Sequence, residues 1–193
     1  MNMTEIAVLI GKEIHPDLNT HVPNVVDLAV AFGKHLGLTA VDLKSLEIGA
    51  GLHDIGKFEI PEAILFKNGR LTDEERAVIE GHPLLGYNLL KKLGFKDGDV
   101  LQIVLQHHEN VDGSGYPMRT TEINKLAKIV ALCDVFEALT AKRCYKPAME
   151  LEEALTIIKK DIGNKFDREL GNKFINFIRS SWVKNNRVLE EMA

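Results

Sequence analysis

The residues best equipped for chemistry in this 193-residue chain are its seven histidines, His15, His21, His35, His53, His82, His107 and His108. Three of them fall in two adjacent pairs of potential ligands, His53–Asp54 and His107–His108. A second carboxylate, Asp134, lies inside the apolar run Ile129-Val130-Ala131-Leu132-Cys133-Asp134-Val135-Phe136. A carboxylate in a buried stripe is costly unless it is paired or binds a metal, and a salt bridge or helix cap would satisfy it equally well. A lone buried histidine is more often a hydrogen-bonded core residue than a ligand, so the weight lies in the ensemble. On a helix, neighbours diverge by about 100° and cannot share a single compact site face-on, but they can line two sides of a binuclear site. Imidazole and carboxylate donors suit iron, manganese or zinc. The two cysteines, Cys133 and Cys144, form no CxxC pair, which argues against a thiolate zinc site or a disulfide scaffold.

The elements that must position these residues read as helices almost throughout. Ile6, Leu9, Ile10 and Ile14 mark a short amphipathic helix. Helices are expected over Asp17–Leu36, with Val22, Val25, Val26, Ala29 and Val30 inward, and over Thr39–Ile55, with Gly56 as its C-cap. A short turn follows Pro61 as far as Leu65. Thr72-Asp73-Glu74-Glu75 carries a capping-box pattern. Further helices are expected from Pro83 to Leu93–Gly94, over Asp99–His108 and over the strongly apolar Lys125–Ala141. Leu151–Lys160 and Arg168–Val183 complete the set. Val111–Asn124 is a loop rich in Gly, Pro, Ser and Thr. Strand alternation, internal repeats and a dividing linker are all missing. The expected fold class is therefore all-α and single-domain, with residues 1–16 as an N-terminal helix or extension, 17–183 as the domain and 184–193 as a C-terminal tail.

Composition narrows the function. Apolar residues make up 45% and charged residues 27%, with a net charge of −4 and a pI near 6.0. That is an ordinary globular profile. Without a basic stripe, a polymeric nucleic-acid partner is not expected, whereas a small anionic substrate needs only a few local cations. No apolar run approaches membrane-spanning length and no signal peptide is recognisable, so a cytoplasmic protein away from the membrane is expected.

The order His21, His53–Asp54, His82, His107–His108, Asp134 resembles an HD-superfamily metal site. The surrounding motifs extend the resemblance to the HD-GYP family. They are His53-Asp54-Ile55-Gly56-Lys57, Gly81-His82-Pro83, His107-His108-Glu109 and Asp112-Gly113-Ser114-Gly115-Tyr116-Pro117. Asp134-Val135-Phe136-Glu137-Ala138-Leu139-Thr140, Arg143-Cys144-Tyr145-Lys146 and Phe166–Asp167 resemble its downstream segments. The match runs from about His21 to Phe177. It departs from the family at Met118–Asn124, which is shorter than the usual segment, with Asn124 and Cys144 in place of prolines.

That resemblance implies an HD-superfamily helical bundle hydrolysing cyclic di-GMP to pGpG, GMP or both. It implies that His21, His53, Asp54 and Asp134 hold one divalent transition metal. Asp54 would bridge to a second held by His82, His107 and His108, the metals being iron or manganese, with zinc an alternative. Two such cations can hold a hydroxide between them and lower its pKa for attack on phosphorus. Lys57 would stabilise the added negative charge, and Lys57, Arg143, Lys146 and Tyr116 would contact substrate. Each also has a plainer reading: Lys57 as a C-terminal helix cation, Arg143 and Lys146 as a solvated basic turn, and Gly113–Pro117 as a surface turn. Asp17, four residues before His21, would be either a ligand to a third metal or a first-turn acid. His15 and His35 fall outside the motif. Rival functions are another HD nucleotide phosphohydrolase, a di-iron oxygenase and a non-catalytic cyclic di-GMP receptor. Regulation would come through a homodimer, a signalling-protein partner or the metals' oxidation state.

Overall fold

The computed structural model describes residues 18–141 and 148–191, with side chains for 20–141 and 148–181. The expected N-terminal helix, His15, Asp17, Arg143, Cys144 and Lys146 lie outside the described residues. The described chain is helical: α1 (Leu18–His35), α2 (Ala40–Leu52), a 3₁₀ turn (Ile55–Glu59), α3 (Glu62–Leu65), α4 (Asp73–Glu80), α5 (His82–Lys92), α6 (Gly98–Gln106), α7 (Lys125–Thr140), α8 (Leu151–Asp161) and α9 (Arg168–Glu191). Among the described residues no strand forms, and only an isolated bridge joins Ile162 to Phe166.

Local signals account for most of these boundaries. Thr39 caps α2, and Thr72 caps α4 with a reciprocal bond from Glu75, as expected for a capping box. Asn124 stops the long loop and starts α7 by accepting from the amides of Leu126 and Ala127. Asp167 does the same for α9, accepting from Glu169 and Leu170. α9 continues through Glu191, where a tail was expected from residue 184, because no Gly or Pro follows Val183 to break it.

α7 is the central rod. Leu126, Ala127, Ile129, Val130, Ala131, Leu132 and Cys133 are all buried. It packs against α1, α6 and α8, and its apolar residues join Val22, Val25, Ala29 and Phe32 of α1 and Phe174 and Ile178 of α9 in one core. A smaller core of Leu52, Ile55, Leu90, Val100, Leu101 and Val104 ties the α2 end and the 3₁₀ turn to α5 and α6. His21, His53, His82, His107 and His108 gather where these helices end or cross.

One departure from the expected boundaries builds the site. The helix expected to run from Thr39 to Ile55 stops at Leu52, and the 3₁₀ turn takes over at Ile55. Asp54 sits between them at φ −97°, ψ 6°, in the sparsely allowed bridge region. Gly56, expected as the helix C-cap, instead lies against the first turn of α5. A Cβ there would overlap the His82 carbonyl and stand 2.5 Å from the Gly86 amide nitrogen. Only glycine lets the backbone of the turn approach α5 this closely.

Candidate metal centre

Three of the histidines share one local device. His53 follows the last residue of α2, His82 opens α5 and His107 follows the last residue of α6. Each donates its Nδ1–H to a carbonyl three residues earlier: His53 to Ala50 at 2.7 Å, His82 to Ile79 at 2.8 Å and His107 to Val104 at 2.9 Å. A carbonyl can only accept, so Nδ1 carries a proton and each ring turns its Nε2 inward. Fixing the outer nitrogen in this way is how proteins orient metal-binding imidazoles.

The inward atoms converge on Asp54. His82 Nε2 lies 3.2 Å and His107 Nε2 4.0 Å from Oδ1, and His53 Nε2 lies 3.4 Å from Oδ2. Lys57 donates to Oδ2 at 2.6 Å. The Nε2 atoms of His82 and His107 stand 3.2 Å apart. Ligand atoms of Asp54, His82, His107 and His108 lie within 4.8 Å of one another, and so do those of His21, His53 and Asp54. Asp54 is common to both groups. His53 Nε2 and Asp54 Oδ1 are buried without a hydrogen-bond partner, the state expected of atoms whose lone pairs face a cation. Bonds of about 2.1 Å to a cation would place neighbouring ligand atoms roughly 3 Å apart, close to the spacings here. The residues therefore fit divalent cations.

His21 and Asp134 close the other side, from α1 and α7. His21 Nε2 lies 3.1 Å from Asp134 Oδ1, and its Nδ1 bonds Glu137. Asp134 meets His21 but is outside both convergent groups. His35 is remote from the cluster in role: it stacks with Phe32 and Phe177 near the end of α1.

The electrostatics of the metal-free cluster divide it: burial opposes protonation of His53, but Asp54 and Asp134 outweigh it and raise its pKa. Burial pushes His107 well below its usual range, helped by the neighbouring imidazoles. Burial likewise pushes His108 down to about 3, against the pull of Asp134. Burial opposes ionisation of Asp54, but Lys57 and His53 outweigh it and hold the carboxyl well below its usual range. Asp134 is also held low, through its bond to His21 and despite burial. In the metal-free protein His21 rises to about 9, because the bonds to Asp134 and Glu137 overcome burial.

The Val111–Asn124 loop covers the His108 side. The half-buried Tyr116 ring packs 4.7 Å from the His108 ring and 6.4 Å from that of His82. Its amide donates to the His108 carbonyl at 3.1 Å. Val111 and Asp112 donate to the Lys165 and Asn164 carbonyls, so the loop is also fastened to the α8–α9 turn. Glu109, 3% exposed, receives the amides of Met118 at 2.6 Å, Arg119 at 3.1 Å and Thr120 at 3.1 Å. This clamp keeps Arg119 at φ 54°, a left-handed conformation that non-glycine residues rarely adopt.

The residue reading missed two of these groups, Glu109 and Glu137. The signals were thin: Glu109 directly follows the histidine pair, and Glu137 lies three residues after Asp134 on one face of α7.

Comparison with known proteins agrees with this geometry. The HD domain family matches residues 11–170. The chain belongs to that family and, with its GYP loop, to the HD-GYP type. It is 41% identical over 137 residues to the cyclic di-GMP phosphodiesterase response regulator RpfG of Xanthomonas campestris, covering 69% of this chain and 36% of that protein. It is 35% identical over 144 residues to the 3′3′-cGAMP-specific phosphodiesterase 1 of Vibrio cholerae, covering 74% of this chain and 33% of that protein. The chain thus spans about a third of each of these curated relatives. The fold is also that of the HD domain of the phosphodiesterase PgpH from L. monocytogenes, solved in complex with cyclic-di-AMP. The TM-score is 0.70 at 19% identity, over 91% of this chain and 94% of that one. No described helix is long and apolar enough to cross a membrane.

Proposed function

We propose that this chain is a metal-dependent phosphodiesterase that hydrolyses a cyclic dinucleotide, cyclic di-GMP first among them, to pGpG, GMP or both. The observation that carries the reading is the convergence on Asp54 of imidazoles whose outer nitrogens are already committed, with His53 Nε2 and Asp54 Oδ1 buried and without a hydrogen-bond partner. His21, His53, Asp54 and Asp134 would hold one divalent ion, and Asp54, His82, His107 and His108 a second. The nitrogen–oxygen set suits iron, manganese or zinc, and the family resemblance favours iron or manganese. Bound ions would supply an activated water at neutral pH and neutralise charge on the phosphodiester.

The chain's own groups do the rest. Asp54 is the carboxylate shared between the two ligand groups. Lys57, beside it and partly exposed, would donate to a phosphoryl oxygen as negative charge builds. Tyr116 would form a wall of the substrate site next to His108. Arg143 and Lys146 would grip phosphate or a guanine edge, and Asp17 would be a ligand to a third ion. The catalytic unit would comprise residues 17–183, with 1–16 an extension and 184–193 a terminal segment. A cytoplasmic location fits the free, buried thiol of Cys133, and regulation would involve a homodimer or a signalling partner.

Because the relatives' names differ in their bases, the decisive assay offers more than one substrate. Protein purified anaerobically is analysed for Fe, Mn and Zn and then given cyclic di-GMP, 3′3′-cGAMP and cyclic-di-AMP. About two ions per chain and hydrolysis of cyclic di-GMP, both lost in Asp54→Asn, are expected. Two ions with turnover of another dinucleotide would move the specificity. Two ions with tight binding but no turnover of any would replace the enzyme with a receptor.

A further inference from the structure

His21 is held differently from its neighbours. His53, His82 and His107 each donate Nδ1–H to a neutral carbonyl of their own local chain. The Nδ1 of His21 bonds instead to a carboxylate oxygen of Glu137, 116 residues away on α7, and both groups are buried. The other oxygen of that carboxylate receives Asn24 Nδ2 at 3.1 Å, one turn further along α1. Glu137 therefore bonds two consecutive polar positions of α1 while its own helix carries Asp134 to the opposite nitrogen of the His21 ring at 3.1 Å.

A carboxylate behind an imidazole does more than orient it. It draws the Nδ1 proton toward itself, gives the ring partial imidazolate character and raises the basicity of Nε2, which a neutral carbonyl does far less. Of the imidazole anchors whose geometry is described above, three are neutral and one is anionic. We infer that Glu137 is a positioning residue that makes the ion on the His21–His53–Asp54 side the more tightly held of the two. This rests on the metal-centre reading above.

A simple strut between α1 and α7 would make the same contacts, so the test must separate charge from shape. Glu137→Gln keeps an acceptor for His21 Nδ1–H and nearly the same volume, and Asn24 can turn its amide to accept from the new amide. The charge is lost while the bonds to His21 and Asn24 can persist. Glu137→Ala removes both. The metal-free 193-residue chain is titrated with Mn²⁺ or Zn²⁺ against a competing chelator, and the unfolding midpoint of the metal-free form is recorded for each variant. The titration is repeated in a His82→Ala background, which leaves the His21-side ion to be read alone.

The expected result is a loss of roughly 10- to 100-fold in affinity for that ion in Glu137→Ala. Glu137→Gln should lose a clear part of it with little change in the metal-free midpoint, while the ion of the His82 side keeps its affinity. Unchanged affinity in Glu137→Gln, or both ions weakened in proportion to lost stability, would make Glu137 a strut and overturn the inference. A wild-type chain that takes up no transition metal would instead refute the metal centre itself.

Discussion

Replacing Glu109 with alanine should loosen the loop over the metal centre without emptying the centre. The side chain is almost fully buried and accepts three amides, from Met118, Arg119 and Thr120, at 2.6 to 3.1 Å. Hydrogen bonds to a charged group contribute about 1.5–3 kcal/mol each when both partners stay dry. Here Met118 and Arg119 are exposed, so their freed amides rebind water and much of that is recovered. Relaxation of Arg119 from its positive φ returns about another 1 kcal/mol. The net loss should be about 2–3 kcal/mol, a fall of roughly 4–12 °C in Tm for a chain of this size. Urea unfolding gives the energy, and hydrogen exchange at residues 118–120 gives its location. Glu109 belongs to neither convergent ligand group, so metal content should hold while KM rises as Tyr116 loses its fixed place over His108. Unchanged stability together with unchanged exchange at those three amides would refute the clamp. Loss of the ions with the loop still protected would refute the separation of roles.

Other expectations follow from the same geometry. Gly56→Ala forces a Cβ into the backbone of His82 and Gly86, neither of which can turn aside; it should destabilise by about 1–3 kcal/mol or more and lower metal content, read by unfolding and metal analysis. In chelated protein, stability should fall on both sides of pH 6.5. The folded pKa of His108 is lowered to about 3, so its contribution is present above 6.5 and lost as pH falls toward 3. The folded pKa of His21 is raised to about 9, so its contribution, about 3 kcal/mol, is present below 6.5 and lost as pH rises through 9. A pH series of urea midpoints checks both slopes, and an acid flank that climbs as pH falls from 6.5 would contradict the first. Chelation at pH 7 should lower Tm, and restoring the metal at a hundred times its Kd should return about 2.7 kcal/mol; a Tm indifferent to metal would count against a site built into the fold.

Much of this protein could be read from its residues one segment at a time. The apolar period of Lys125–Ala141 announced the buried rod of the bundle, and the Thr72–Glu75 box placed the start of α4 correctly. The histidine pairs marked out candidate ligands because side-chain chemistry is written directly in residue type, and folding brings them together. What a one-dimensional pattern cannot carry is where a helix yields to a competing contact. Nothing in Thr39–Ile55 says that it stops at Leu52; it stops because Gly56 is drawn against α5, and the resulting turn swings Asp54 into the cluster. Nor can it pair groups that lie far apart in the chain. Asp134 faced an open choice between ion pair and ligand, and only the crossing of α1 and α7 brings it to His21. Glu109 and Glu137 stand within the motifs but carry no role in sequence until folding buries one under three loop amides and the other behind an imidazole 116 residues away. Periodicity and caps are local and survive in sequence, whereas burial and long-range hydrogen bonds exist only once the helices have packed.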